Sequence, residues 1–285
     1  VPNVLKSPVA QLKRLGQWLP LSEKQWLHLD LLKTLVQRDL QARYQGSILG
    51  NFWTVANQLL QLLIFTYVFS VVLQVKLSLK GLPANDLTYG LWLFAGLIPW
   101  NAFSAGLSQA TTSVINQPNL VKKVVFPLGV LPLVPIFATF VESSVGLMIL
   151  MVALVVTTQT LHATLLLLPI VWIPQLLLTI GLGYLVAGLT VFLRDIAQTV
   201  GVILSLWFYA TPVIYPAGVI PENLQVWVFR LNPLTAIIES YRDLLLVGTF
   251  AHRQDLLLSY VIAVVVFILG WRIYRRLRPA FADVL

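Results

Sequence analysis

The run LLLLPIVWIPQLLLTIGLGYLVAGLTVFL, from Leu165 to Leu193, holds 29 residues without one Asp, Glu, Lys or Arg. A helix needs about 20 apolar residues to cross the roughly 30 Å hydrocarbon layer of a bilayer, so this stretch reads as a membrane span. Working outward, five more stretches read the same way: Phe52 to Leu73, Gly90 to Ile115, Pro127 to Val156, Ile196 to Tyr215, and Leu256 to Tyr274. The chain of 285 residues is 58% hydrophobic and 11% charged, with a mean hydropathy of +0.83. That much apolar surface has nowhere to go except lipid. Unbroken apolar runs exclude a transmembrane barrel, whose strands alternate lipid-facing and lumen-facing residues. The expected fold is an all-α polytopic membrane protein with six transmembrane helices.

Charge then sets topology. The net charge of +8 does not mark a nucleic-acid surface, because the basic residues sit at the ends of the apolar runs and not along one soluble face. An even number of spans puts both termini on one side. Fourteen Lys and Arg belong to that side, in the N-terminal segment, the Pro118 to Phe126 loop, Arg194 and the tail, against five opposite: Lys76, Lys80, Arg230, Arg242 and Arg253. By the positive-inside rule both termini are cytoplasmic. With no cysteine, and with His28, His162 and His252 far apart in sequence, no disulfide and no metal site is expected. The first twenty residues lack the apolar core of a secretion signal, so no cleaved leader is expected.

Two regions outside the spans stand out. From Ser22 to Tyr44, Leu29, Leu32, Leu35, Val36 and Leu40 recur at helical spacing among Lys33, Gln37, Arg38 and Gln41. This predicts an amphipathic helix at the membrane interface. The chain thus divides into an N-terminal extension (1–21), the interface helix with its exit (22–50) and a transmembrane domain (51–285). The outer segment 216–255 contains Pro216, Pro221 and Pro233, a tryptophan-bearing piece from Leu224 to Leu231, and an apolar piece from Leu234 to Val247 too short to cross. Two short helices dipping back into the outer leaflet fit it best, since irregular backbone at that depth must be covered by protein; a single soluble helical cap is the other solution.

Candidate path residues are polar or aromatic groups on otherwise lipid-like helices. Asn101, Ser104 and Ser108, with Thr112 or Thr111, form one helical stripe on the second span, serving either as a path lining or as interhelical hydrogen bonds. Phe65, Phe69, Trp207, Tyr209 and Tyr215 offer faces on which sugar rings stack, while interfacial belts use the same residue types. Glu142 is the one acidic side chain well inside a span, either a proton relay or a satisfied structural carboxyl. Between Pro118 and Pro127 a short helix with an apolar face and Lys122 and Lys123 fits a groove on a partner, or simply anchors the loop. No phosphate-binding loop, carboxylate pair or Ser/His/Asp set occurs, so the chain is not expected to be an enzyme.

Several runs together are similar to a known family. RDLQARYQGSILGNFW (Arg38 to Trp53), the Asn119 to Pro127 loop, Phe192-Leu-Arg-Asp195, and Tyr209-Ala-Thr-Pro-Val-Ile-Tyr-Pro216 followed by Leu231-Asn-Pro-Leu234 resemble, in the same order, the ABC-2 type permeases that export bacterial surface polysaccharides: O-antigen, capsule and teichoic acid. The resemblance runs from about Leu31 to the C-terminus. It implies a homodimeric inner-membrane channel with two copies of a separate ATP-binding subunit, which uses the ATP and magnesium; this chain itself binds no cofactor. It also implies that the helix from Ser22 to Tyr44 is a gate and that Gln117, Asn119, Leu120, Val121, Lys122 and Lys123 couple to the ATPase. Re-entrant gate helices are implied within Pro216 to Val247. The cargo would be a lipid-linked polysaccharide, and Arg38 and Arg43, with Tyr44, are candidates for its pyrophosphate; both arginines equally suit ordinary phospholipid anchoring. An exporter of small lipophilic drugs or peptides shares this architecture. A lipid-linked sugar enzyme would need a carboxylate or metal set, and an ion-coupled carrier would show inverted repeats; neither is visible. The extension 1–21 departs from the simplest members of the family.

Overall fold

The computed structural model describes residues 23–43, 45–47, 50, 52–74, 86–122, 126–159 and 161–285. The extension 1–21, Ser22, Tyr44 and Lys123 lie outside the described residues. In chain order the helices are α1 (Glu23–Arg43), α2 (Phe52–Thr66, continued by a π turn Tyr67–Val72), α3 (Asp86–Thr112), α4 (Pro118–Lys122), α5 (Leu133–Thr158), α6 (Leu168–Thr190), α7 (Ile196–Ala210), α8 (Glu222–Leu231), α9 (Pro233–Arg242, continued by a π turn Asp243–Val247), α10 (Arg253–Leu277) and α11 (Phe281–Val284). Tight 3-10 turns Leu128–Val130 and Ala163–Leu167 lead into α5 and α6. No β-strand occurs among the described residues.

Five stretches are long and apolar enough to cross a membrane: Phe52–Val72, Thr88–Thr112, Leu128–Thr158, Ala163–Thr190 and Arg253–Val284. The sixth expected crossing, Ile196 to Tyr215, is helical over only 15 residues as α7. Pro212 ends it, because a residue before proline is driven out of the helical region, and Thr211 is extended at φ −104°, ψ 136°. Fifteen residues span about 22 Å, less than the hydrocarbon thickness. The segment 216–255 forms the two short helices α8 and α9. Of these, α9 is buried along most of its length while α8 buries no residue fully.

α3 is the axis of the bundle. From Thr88 to Trp100 every residue is buried, because this half is apolar on all sides and α2, α5, α6 and α9 surround it. Polar groups at its contacts are matched: Ser143 Oγ donates to the Ile98 carbonyl (3.0 Å), and Gln175 Nε2 to the Pro99 carbonyl (2.9 Å) while its Oε1 accepts from Tyr241 (2.8 Å). Without such partners each group would be costly in a water-free layer. α6 and α10 meet backbone to backbone, for a β-carbon on Gly270 would lie 1.9 Å from the Gly181 carbonyl oxygen. Small residues allow that approach, which here supplies van der Waals contact where no hydrophobic force acts between spans.

At the turn from α9 into α10, Asp243 Oδ2 accepts from the Ala251 and His252 amides (3.0 and 3.3 Å) and meets His252 Nδ1 at 2.8 Å, while Phe229 stacks on the imidazole at 5.3 Å. The Asp243 hydrogen bond, outweighing burial, raises the His252 pKa above its ordinary 6.5. The charged imidazole therefore stabilises this corner fully below about pH 6.5, and that contribution is lost as pH rises through the raised folded value. The difference in thermal midpoint between wild type and His252→Gln is expected to shrink as pH is raised from about 6 to 9.

Candidate functional site

Lys122, Arg194, Arg275, Arg276 and Arg278 mark one end of the bundle, here called the basic end. There α1 packs on α5, and its last residue, Arg43, is fully engaged. Its Nε and Nη2 donate to Asp39 Oδ2 (3.0 and 2.8 Å), Nη1 to Glu142 Oε2 (2.7 Å) and Nη2 to Gln109 Oε1 (2.6 Å). The carboxyl that would be costly inside a span thus has a cation beside it. Arg38, four residues before Ala42 on α1, is exposed and makes no hydrogen bond or ion pair among the described residues. It lines a cavity of about 430 Å³ whose other walls include Asp39, Thr112, Asn116, Gln117, Leu120 and Pro135. With the Asp39 carboxylate taken up by Arg43, one unpaired guanidinium, several neutral hydrogen-bonding groups and apolar side chains remain to receive an anionic headgroup carrying an apolar tail.

From that cavity a polar stripe climbs α3. Ser108 is exposed and Ser104 half-buried; Asn101 Nδ2 donates to Gln61 Oε1 of α2 at 3.1 Å. On α2, Thr54, Gln58, Gln61, Phe65 and Phe69 recur at spacings of three and four and so share one face. Gln58 lies against Gly146 of α5, where a β-carbon would sit 2.9 Å from its Oε1. Gln58 and Gln61 escaped the sequence reading, although the spacing test applied to α3 finds them on α2.

α3 meets α7 through a block of rings. Trp100 and Phe103 pack together at 5.9 Å, Trp100 meets Phe208 at 5.3 Å, Phe103 meets Trp207 edge-on at 5.3 Å, and Tyr209 meets Phe208 edge-on at 5.4 Å. Tyr209 is 66% exposed and the Tyr215 hydroxyl donates to its carbonyl (2.9 Å). Trp207 Nε1 donates to Asn232 Oδ1 (3.0 Å), and Asn232 Nδ2 to the Thr211 hydroxyl (2.7 Å), so the end of α7 is tied to the α8–α9 junction. Phe65 and Phe69, on the α2 face of Gln61, are not in ring contact with this block. They form a second aromatic group, with Phe69 stacked on Tyr89 at 5.2 Å and Tyr89 leading to Trp92 at 5.4 Å.

That second group ends on Arg242 of α9, a residue for which the sequence offered no partner. Its guanidinium lies 3.5 Å from the centre of the Trp92 ring. It donates to the carbonyls of Pro212 (2.7 Å), Val213 (2.6 Å) and Trp92 (3.3 Å) and to Glu239 Oε1 (2.6 Å). Only 2% of the residue is exposed, and Gly96 makes room for it, since a β-carbon there would lie 2.3 Å from Arg242 Nη2.

At the basic end Gln117, just before α4, and Asn119 and Lys122 on it are exposed, whereas Leu120 and Val121 pack on a cluster containing Tyr274 and Phe281. Among the described residues no three His, Asp or Glu side chains converge as a metal site.

The family described as ABC-2 type transporter matches residues 30–246. Two O-antigen export system permease proteins RfbA from Klebsiella pneumoniae are 31% and 30% identical over 257 residues, 90% of this chain and 95% of each relative. The protein of the same name from Myxococcus xanthus is 31% identical over 254 residues, 89% and 94% of the two chains. The match runs from within α1 through α9, including the cavity, the stripe and the ring block, and the chain therefore belongs to the ABC-2 type transporter family.

Proposed function

We propose that this chain is the permease subunit of an ABC exporter that carries lipid-linked, O-antigen-like polysaccharide across the bacterial inner membrane, driven by ATP hydrolysis in a separate ATP-binding subunit. The relatives' names support the cargo class. The observation that carries a conduit is the stripe Ser108, Ser104 and Asn101 with Gln61, running along α3 from the Arg38 cavity. Amide and hydroxyl groups at hydrocarbon depth are costly against lipid and well matched to sugar hydroxyls. Phe65 and Phe69, which share the α2 face of Gln61, continue that lining, and Trp207, Tyr209 and Tyr215 supply further ring faces at the end of α7.

In this reading two copies of the chain assemble with two ATP-binding subunits, both termini are cytoplasmic, and the basic end faces the cytoplasm. α7 serves as the sixth crossing despite its length, and α8 and α9 are the re-entrant outer gate. α1 is the interface gate helix, latched to α5 by the Arg43–Glu142 pair. Gln117, Asn119, Leu120, Val121 and Lys122, with Lys123, form the docking segment for the ATPase. Of the candidates for the lipid pyrophosphate, Arg38 is the contact and Arg43 the latch, because the guanidinium of Arg43 is already taken.

The test is ATP hydrolysis by the reconstituted complex of this chain with its ATP-binding subunit. Stimulation by polyprenyl-linked oligosaccharide is expected; stimulation by lipophilic drugs alone would establish a drug exporter instead. Arg38→Gln is expected to raise the half-maximal glycolipid concentration about tenfold, as loss of one charge-assisted hydrogen bond of about 1.5 kcal/mol implies. An unchanged value would remove Arg38 from the headgroup site.

A further inference from the structure

The turn that follows α4 is held by two helices remote from it in sequence. Tyr274 of α10 donates its hydroxyl to the Leu128 carbonyl at 2.8 Å, and Tyr184 of α6 donates to the next carbonyl, Gly129, at 2.9 Å. The two rings pack at 5.1 Å, Trp271 lies edge-on to Tyr184 at 5.0 Å, and Phe281 lies edge-on to Tyr274 at 5.4 Å. Tyr274 and Phe281 are wholly buried and Tyr184 is 4% exposed. Gly129 is seated on the Trp271 ring, 3.3 Å from where its β-carbon would be. Leu120 and Val121 of α4 pack on the same cluster.

We propose that Tyr184 and Tyr274 are positioning residues that transmit displacement of α4 to the α6–α10 pair, an inference that rests on α4 being the docking helix of the ATP-binding subunit. The covalent chain links α4 only to α3 and α5. The two hydroxyl bonds add α6 and α10, which the Gly181–Gly270 contact makes one body. A push on α4 therefore moves a helix pair outside its own hairpin, through two directional bonds in a close-packed cluster that yields little.

The experiment uses the full complex in vesicles. ATP hydrolysis and exported glycolipid are measured on the same preparations for Tyr184→Phe, Tyr274→Phe and the double variant, with Thr139→Val as a control that removes another buried hydroxyl, shared between the Ile136 carbonyl of α5 (2.8 Å) and the Ala102 carbonyl of α3 (3.3 Å). Phenylalanine keeps the ring packing and removes only the hydroxyl. The expected result is continued ATP hydrolysis with about a tenfold fall in glycolipid exported per ATP in the double variant and a smaller fall in each single one, while Thr139→Val keeps the wild-type ratio. A double variant with the wild-type ratio overturns the proposal, as does an equal fall in Thr139→Val. If the double variant does not assemble, the ratio in Tyr184→Phe alone decides. Replacing residues 119–122 with a Gly-Ser linker separates the premise: coupled transport by that variant would show that α4 does not dock the ATPase and would overturn both readings together.

Discussion

Gly270→Ala is expected to destabilise the folded chain by about 3 kcal/mol, the upper end for overpacking, and Gly270→Leu to abolish the folded state. The added β-carbon would lie 1.9 Å from the Gly181 carbonyl oxygen, and what blocks it is backbone, which cannot turn aside as a side chain can. α6 and α10 must then separate along their whole contact, and the Tyr184 and Tyr274 bonds to the Leu128–Val130 turn would lengthen with them. Gly181→Ala should behave similarly, since its β-carbon would meet Phe267 backbone at 2.6 Å. Gly201 of α7 is the contrast: nothing lies within 4 Å of a β-carbon there, so alanine should be neutral or stabilising by about 0.5–1 kcal/mol. Thermal unfolding in detergent of the three alanine variants checks this. Equal midpoints for Gly201→Ala and Gly270→Ala would mean that the α6–α10 contact is not the close one described.

Arg242→Met is expected to cost about 3–5 kcal/mol, the range for breaking a buried ion pair from one side. It strands Glu239 and frees the Pro212 and Val213 carbonyls, which the guanidinium now holds at 2.6–2.7 Å. Those carbonyls lie just past the end of α7, so the loss would loosen α7 from α9. Arg242→Lys keeps the charge but not the planar fork that reaches several acceptors at once, and it should fall between the two. The double variant Glu239→Leu with Arg242→Met should recover part of the loss, because a wholly apolar replacement leaves no uncompensated charge. Limited proteolysis across residues 211–252, measured beside thermal midpoints, reads this corner directly. Wild-type protection in Arg242→Met would remove the clamp.

The membrane-spanning character was legible because it depends on composition along one helix at a time. The Leu165 to Leu193 run needed no partner to be read, and the two short helices of 216–255 followed from where the prolines fall. The family resemblance carried by the Arg38 to Trp53, Phe192 to Asp195 and Tyr209 to Pro216 runs is matched by the family's coverage of residues 30–246. The length of α7 was overestimated because apolar residues continue past Pro212, and hydropathy does not register the backbone that proline imposes.

Azimuth and partner were not legible. Periodicity set Asn101, Ser104 and Ser108 on one stripe but could not say that Gln61 faces it. Nor could the sequence say which rings touch: Phe69 stacks on Tyr89 near the start of α3, whereas Phe208 meets Trp100 at its middle. Arg38 and Arg43 are equivalent in sequence; they differ because Glu142, 99 positions from Arg43, lies within reach of only one.

The sequence by itself determined that the chain is helical and crosses a membrane and that most of its basic residues flank the apolar runs on one side, since each follows from local transfer free energies and helical spacing. Only the tertiary structure decided which charge is free, which glycine is a contact and which tyrosines hold the turn after α4. Those properties belong to pairs far apart along the chain, and the free energy of a buried polar or close-packed group is set by what lies against it.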